Sequence, residues 1–159
     1  MTRRPIGVTA PYRAKKPDDE LEKAFAPIAE TFAMNAAFHD SQAKTRTLIM
    51  VSKFGHCLND LLYRHRIGAL PIAIPAVVSN HPDMEGIVKA HGIAYAHMPV
   101  TAATKAEQEA KLLALIEAEK IDLVVLARYM QVLSPEVCKR LPGRVINIHH
   151  SFLPSFKGA

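Results

Sequence analysis

The feature of this sequence that most restricts its fold is an alternation, from Lys44 onward, of short apolar runs with helical stretches. Thr45 to Val51, Ile72 to Val78, Ile93 to His97, Ile121 to Ala127 and Arg144 to His149 read as strands. The run Ile121 to Ala127 is apolar except for Asp122, as suits a strand covered on both faces in the middle of a sheet. Between the strands the spacing predicts helices over Cys57 to Arg66, Asp83 to His91 and Thr104 to about Lys120, and a short one opened by Ser134-Pro135-Glu136 and ended by Pro142-Gly143. Pro82 with Asp83 and Glu85 marks one helix start, Gly92 marks its stop, and Thr104 with Glu107 has the spacing of a capping box. Strand and helix in strict turn predict an α/β domain, a Rossmann-like parallel sheet with helices on both faces.

The segment before Lys44 is organised differently. Asp18 to Phe32 carries Leu21, Ala24, Phe25, Ile28 and Phe32 at helical spacing, which predicts one helix with a buried face, and Ala33 to His39 reads as a short strand or loop. Residues 1–17 form a basic arm whose Pro5, Gly7 and Pro11 break any amphipathic helix, so no targeting signal is assigned.

Composition narrows the function classes. With 49% hydrophobic and 22% charged residues, the chain has the material for a core. Its longest apolar runs fall far short of the roughly 18 residues a membrane span needs, and no membrane partner is expected. Cys57 and Cys138 have no framework spacing, which fits a reducing cytoplasm. The histidines His39, His56, His65, His81, His91 and His97 are scattered without ligand spacing, so no metal is expected. The net charge of +5 lies largely in Arg3, Arg4, Arg13, Lys15 and Lys16, which leaves the remainder balanced; without a basic stripe or stacking platform, nucleic acid is not an expected partner.

In doubly wound sheets ligands bind beyond the carboxyl ends of the strands, and three places there carry chemistry. Ser52-Lys53-Phe54-Gly55-His56 joins a strand to a helix N-terminus whose amides can hold an anion, although an ordinary connection needs similar residues. Ala127-Arg128-Tyr129-Met130-Gln131-Val132-Leu133 mixes aromatic, apolar and amide groups, which suits either a flat heterocycle or packing under the next helix. Asn147 and His149 share one face of the last strand while Ile146 and Ile148 take the other. An amide donor for an oxyanion beside an imidazole able to move protons is a set of tools for carbonyl chemistry, and equally a pair of polar groups at a strand end.

Taken together, these places resemble the formyltransferase-type folate enzymes, and within them the deformylase branch. Four ordered segments between about residues 46 and 159 carry the resemblance: Met50-Val51-Ser52-Lys53-Phe54-Gly55-His56-Cys57-Leu58-Asn59-Asp60-Leu61-Leu62, Val78-Ser79-Asn80-His81-Pro82-Asp83, Leu126 to Pro135, and Asn147 to Pro154. The Asn-x-His segment resembles the wider superfamily; the Ser-Lys-Phe-Gly-His-Cys-Leu-Asn-Asp segment is similar to the deformylases in particular.

The resemblance implies hydrolysis of 10-formyltetrahydrofolate to tetrahydrofolate and formate, with the folate as substrate and no cofactor. Asn147 would hold the formyl oxygen as it becomes anionic, and His149 would assist the proton transfers. Met130, Gln131, Val132 and Leu133 match the stretch that lines the pterin pocket, largely through backbone groups. Ser52, Lys53, Phe54, Gly55 and His56 match the loop that approaches the acceptor in transferases and here is expected to seal the site. The family's third catalytic residue, an aspartate downstream of the Asn-x-His strand, has no counterpart up to Ala159, and residues 18–43 resemble only the last helix and strand of an ACT-type regulatory domain. The expectation is therefore a chain cut at both ends: an arm over 1–17, an ACT-type remnant over 18–43 and the first part of the catalytic domain over 44–159. An unpaired sheet edge after Asn147, with Phe152 and Phe156 near it, predicts a homo-oligomer. The alternatives to a hydrolase are an inactive folate-binding fragment and a formyltransferase with an amine acceptor.

Overall fold

Seven residues, Thr45–Val51, form the central strand β1, and none of its last four side chains is more than 1% exposed. Successive side chains of a strand leave on opposite faces, so Leu48 and Met50 enter one core while Ile49 and Val51 enter another. In the computed structural model, which describes residues 18–38 and 43–147, the rest of the sheet is built outward from this strand. The chain divides into two units, Met1–Ala43 and Lys44–Ala159.

In the second unit β1 is followed by α2 (His56–Arg66), β2 (Ile72–Ala73), β3 (Ala76–Ser79), α3 (Glu85–Ala90) and β4 (Ala94–His97). Then come α4 (Lys105–Ala118), β5 (Leu123–Leu126), α5 (Pro135–Arg140) and β6 (Val145–Asn147). Among the described residues the strands form one parallel sheet in the order β4-β3-β1-β5-β6, with β2 also paired to the start of β1. Leu58, Leu62 and Val88 of α2 and α3 close the core under Ile49, Val51 and Val77. Leu112, Leu113, Ile116 and Val137 of α4 and α5 close the other under Leu48, Met50, Val78, Val124 and Leu126. This is the expected Rossmann-like arrangement, a parallel sheet with helices on both faces.

Several helix ends behave as their residues require. Gly92, at φ +70°, ends α3 with Gly92 N donating to Lys89 O and Ile93 N donating to Val88 O. Ser134 caps α5, its Oγ accepting from Val137 N at 3.3 Å, with Pro135 in the first helical position. Lys120 ends α4 in the left-handed region at φ +49°, a conformation that glycine adopts without penalty.

Other expectations are corrected. The strand read over Ile72 to Val78 is two pieces, because Pro75 supplies no amide donor to the ladder. Helix α3 starts at Glu85 rather than Asp83, since Pro82 begins a turn in which its carbonyl accepts from Glu85 N at 3.0 Å. The capping box at α4 does not form: Thr104 is already helical at φ −98°, ψ −8°, its hydroxyl bonds Thr101 and Pro99, and Glu107 pairs with Lys111 at 2.7 Å. The last strand is described only to Asn147. Asp122 stands before β5, where its carboxylate accepts from Arg46 N at 2.8 Å, which explains a charge in so apolar a run.

In the first unit α1 (Asp18–Thr31) contains Pro27, whose carbonyl accepts from Thr31 Oγ1 at 2.8 Å. Phe25 meets Phe38 edge to face at 5.7 Å between centroids. Residues 34–38 have no regular structure, so the strand alternative does not hold there. Leu21 and Phe25 are half-buried, but Ile28 and Phe32 are exposed, so among the described residues the predicted stripe is only partly covered.

Two variants test these assignments. Leu48→Ala, opening a cavity at a fully buried position of β1, is expected to lower unfolding free energy in urea by about 2–5 kcal/mol. Lys120→Gly is expected to raise it by about 1 kcal/mol, because the left-handed backbone loses its steric cost.

Candidate functional site

The crossover from β1 leads through α2 to β3 on one side, and that from β5 leads through α5 to β6 on the other. β1 and β5 are neighbours, so the two connections diverge between them and leave a crevice above their carboxyl ends. The polar residues that follow these strands converge there.

Ser52, the residue after β1, is buried, and its hydroxyl has both partners inside the protein. It donates to Asn80 Oδ1 at 2.7 Å and accepts from Met130 N at 2.9 Å, which ties the ends of β1 and β3 to the loop after β5. Ser79 Oγ accepts from His81 N at 3.1 Å, and the Tyr95 hydroxyl donates to the His81 carbonyl, so the turn after β3 is held as well. Burial raises the Tyr95 pKa above the ordinary tyrosine value.

The remainder of the first loop rises toward solvent. Gly55 precedes α2 without a side-chain cap, and a Cβ there would stand 2.2 Å from Met84 Sδ, so a side chain at this position would have to displace the Met84 thioether. Phe54 is exposed, and the Arg128 guanidinium lies 5.0 Å from its ring centroid. His56 Nε2 comes to 3.5 Å from Arg128 Nη1. Arg128 is at φ +59°, a conformation rare for a side-chain-bearing residue, and it carries the chain sharply from buried Ala127 into the loop.

The second loop lines a cleft on the α4 and α5 face of the sheet. Its floor is Met50, Val78, Met98 and Leu112; one wall is Lys105, Gln108 and Glu109 of α4, the other Tyr129, Gln131, Val132 and Leu133. The enclosed space is about 10 Å³, enough for one water, and about 330 Å³ with the open mouth included. Burial first, and the charge of Glu109 second, raise the Tyr129 pKa. Asn147 pairs in register with Leu126 and so shares the sheet face on which the cleft opens; it is exposed at the end of β6. His149 lies outside the described residues.

Of the residues read from the sequence as site candidates, Ser52 and Met130 meet directly, Phe54 and His56 meet through Arg128, and Gln131, Val132 and Leu133 share the cleft wall. Lys53 is exposed and joins none of them. Sequence reasoning passed over Asn80, Glu109, Tyr129 and Arg128 as individual site residues. Glu109 left no signal, since a glutamate on an amphipathic helix reads as solvated; the other three stood inside motifs whose members could not be ranked.

Residues 45–159 match the formyl transferase family. The chain belongs to that family. It is 52% identical over 141 residues to a protein of Corynebacterium sp. (strain P-1) named formyltetrahydrofolate deformylase, covering 89% of this chain and 49% of that one. Among solved structures, a formyltetrahydrofolate deformylase from Burkholderia mallei superposes with a TM-score of 0.81 at 53% identity, covering 93% of this chain and 53% of the other. Glycinamide ribonucleotide transformylase 1 from Symbiobacterium toebii superposes with a TM-score of 0.64 at 27% identity, covering 78% and 59%. The chain spans about half the length of the curated relatives it matches. Among the described residues no helix is long and apolar enough to cross a membrane.

The cleft makes a pH prediction. A tyrosine whose folded pKa is raised contributes stability that is complete below the unfolded value of about 10 and is lost as pH rises through the folded value. Tyr129→Phe is therefore expected to flatten the fall of Tm with pH above about 10. Tyr95 continues to supply its own part, and identical slopes for variant and parent would refute the effect of the cleft on Tyr129.

Proposed function

We propose that this chain carries the folate-binding half and two catalytic groups of an enzyme that hydrolyses 10-formyltetrahydrofolate to tetrahydrofolate and formate. The observation that carries the reading is a cleft at the divergence of two crossovers whose wall, Tyr129 and residues 131–133, and whose neighbouring loop, residues 52–56, belong to the segments similar to deformylases. The much higher identity to proteins named deformylase than to a transformylase supports water, rather than an amine, as the acceptor.

In this reading the pterin lies against Met130, Gln131, Val132 and Leu133. The Asn147 amide donates to the formyl oxygen, which gains negative charge as water adds to the carbonyl carbon. His149 accepts the proton of the attacking water and returns a proton to N10 as the C–N bond breaks, releasing formate and tetrahydrofolate. Carbon keeps its oxidation state throughout, so the step calls for no redox cofactor. Phe54, His56 and Gly55 form the cover beside the reacting carbon, and Lys53 faces solvent at its rim. The folate is the partner, in the cytoplasm.

The test is formate release from 10-formyltetrahydrofolate by the purified chain, with Asn147→Ala, His149→Ala and an enzyme-free blank. Turnover is expected in the parent and a fall of about 100-fold or more in each variant. Turnover untouched by either variant would overturn the assignment of the pair. Tetrahydrofolate binding without turnover would reduce the chain to a folate-binding fragment, and formate transfer that depends on added glycinamide ribonucleotide would make it a transferase.

A further inference from the structure

Backbone donors and acceptors need partners, and the account of them around the cleft is uneven. Among the described residues, no backbone N–H or C=O of residues 131–133 takes part in a hydrogen bond. The amides on either side of this stretch are both held by side chains. Met130 N donates to Ser52 Oγ at 2.9 Å, and Ser134 N donates to Glu109 Oε1 at 2.9 Å.

The two holds come from opposite sides of the loop, Ser52 from the end of β1 and Glu109 from α4. Each is fixed in turn. The Ser52 hydroxyl is oriented by its donation to Asn80 Oδ1, which leaves a lone pair for Met130 N. Ser134 is extended at φ −67°, ψ 158° and caps α5, so its amide cannot turn away without losing the cap. A slack segment of this length would close a turn on itself and satisfy its own groups. Tethered at both ends, residues 131–133 instead keep their donors and acceptors unpaired among the described residues, beside the cleft.

We propose that Ser52 and Glu109 are positioning residues that hold residues 131–133 as an open backbone edge for the pterin ring of a folate. The inference rests on the folate reading above and adds the means by which the pocket is shaped. A pterin presents ring nitrogens, an amino group and a carbonyl along one edge, and a held stretch of peptide with free N–H and C=O groups complements it without any charged side chain. Pre-organisation is what the two holds supply: the loop loses its freedom on folding, so less is left to lose when the ligand binds. Ser52 thereby acts through the loop, although the sequence alone had put it among the substrate-binding groups.

The experiment uses the whole chain with Ser52→Ala, Glu109→Ala and the conservative Glu109→Gln, whose amide oxygen still accepts from Ser134 N. Amide hydrogen exchange over residues 129–134 and tetrahydrofolate affinity are read together. Loss of one hold is expected to speed exchange at its own amide, Met130 or Ser134, and to weaken tetrahydrofolate by about tenfold, the scale of one lost hydrogen bond. Glu109→Gln is expected to restore both. Unchanged exchange overturns the proposal, as does faster exchange with unchanged affinity. Should Ser52→Ala melt the buried corner, the half-buried Glu109 pair of variants decides alone. If the parent chain shows no affinity for tetrahydrofolate, the folate reading falls, while exchange still upholds or overturns the two holds.

Discussion

Burial of β1 on both faces is the constraint on which the rest of the second unit depends. Leu48, Ile49, Met50 and Val51 are almost wholly removed from water, and their alternation feeds two separate cores. Neither core can close without helices on its own side, and a parallel strand can be reached only by a crossover that supplies one. Strand β1 therefore lies between β3 and β5, with α2 and α3 below and α4 and α5 above. The divergence of the crossovers beside it leaves the crevice.

Where double burial ends, polar chemistry begins. Ser52 is the first polar residue after the apolar run of β1, still buried, and a hydroxyl there must find partners. It finds them in Asn80 and Met130, which lie 28 and 78 positions away along the chain. One buried hydroxyl thus joins three connections that have no sequence proximity, and the cleft wall follows from that joint. The outer contacts of the same crevice, Arg128 over Phe54 and beside His56, are solvent-exposed and correspondingly weaker.

Much of this was legible beforehand. The strand over Thr45 to Val51 and the helix stop at Gly92 stand where pattern and glycine chemistry put them, because both depend on the identity of neighbouring residues alone. Ser134 caps its helix for the same reason. The misreadings share an opposite cause. Thr104 had the right spacing for a capping box but was drawn into bonds with Thr101 and Pro99, and Pro82 was used by a turn before the helix instead of by the helix. Local signals name a place for a cap; the path of the chain decides which donor arrives there.

The sequence by itself determined the class of fold, the order of strand and helix, and the family, because hydrophobic periodicity and ordered motifs are properties of residue order. It also marked the loops after β1 and β5, with Asn147 and His149, as candidates for the chemistry. Only the tertiary structure decided which of them meet: that Ser52 faces inward to hold Met130, that Glu109 reaches the loop from a helix read as solvated, and that Arg128 turns through a left-handed backbone onto Phe54. These depend on distances between segments brought together by the packing of two cores, and no spacing along the chain encodes a distance across it.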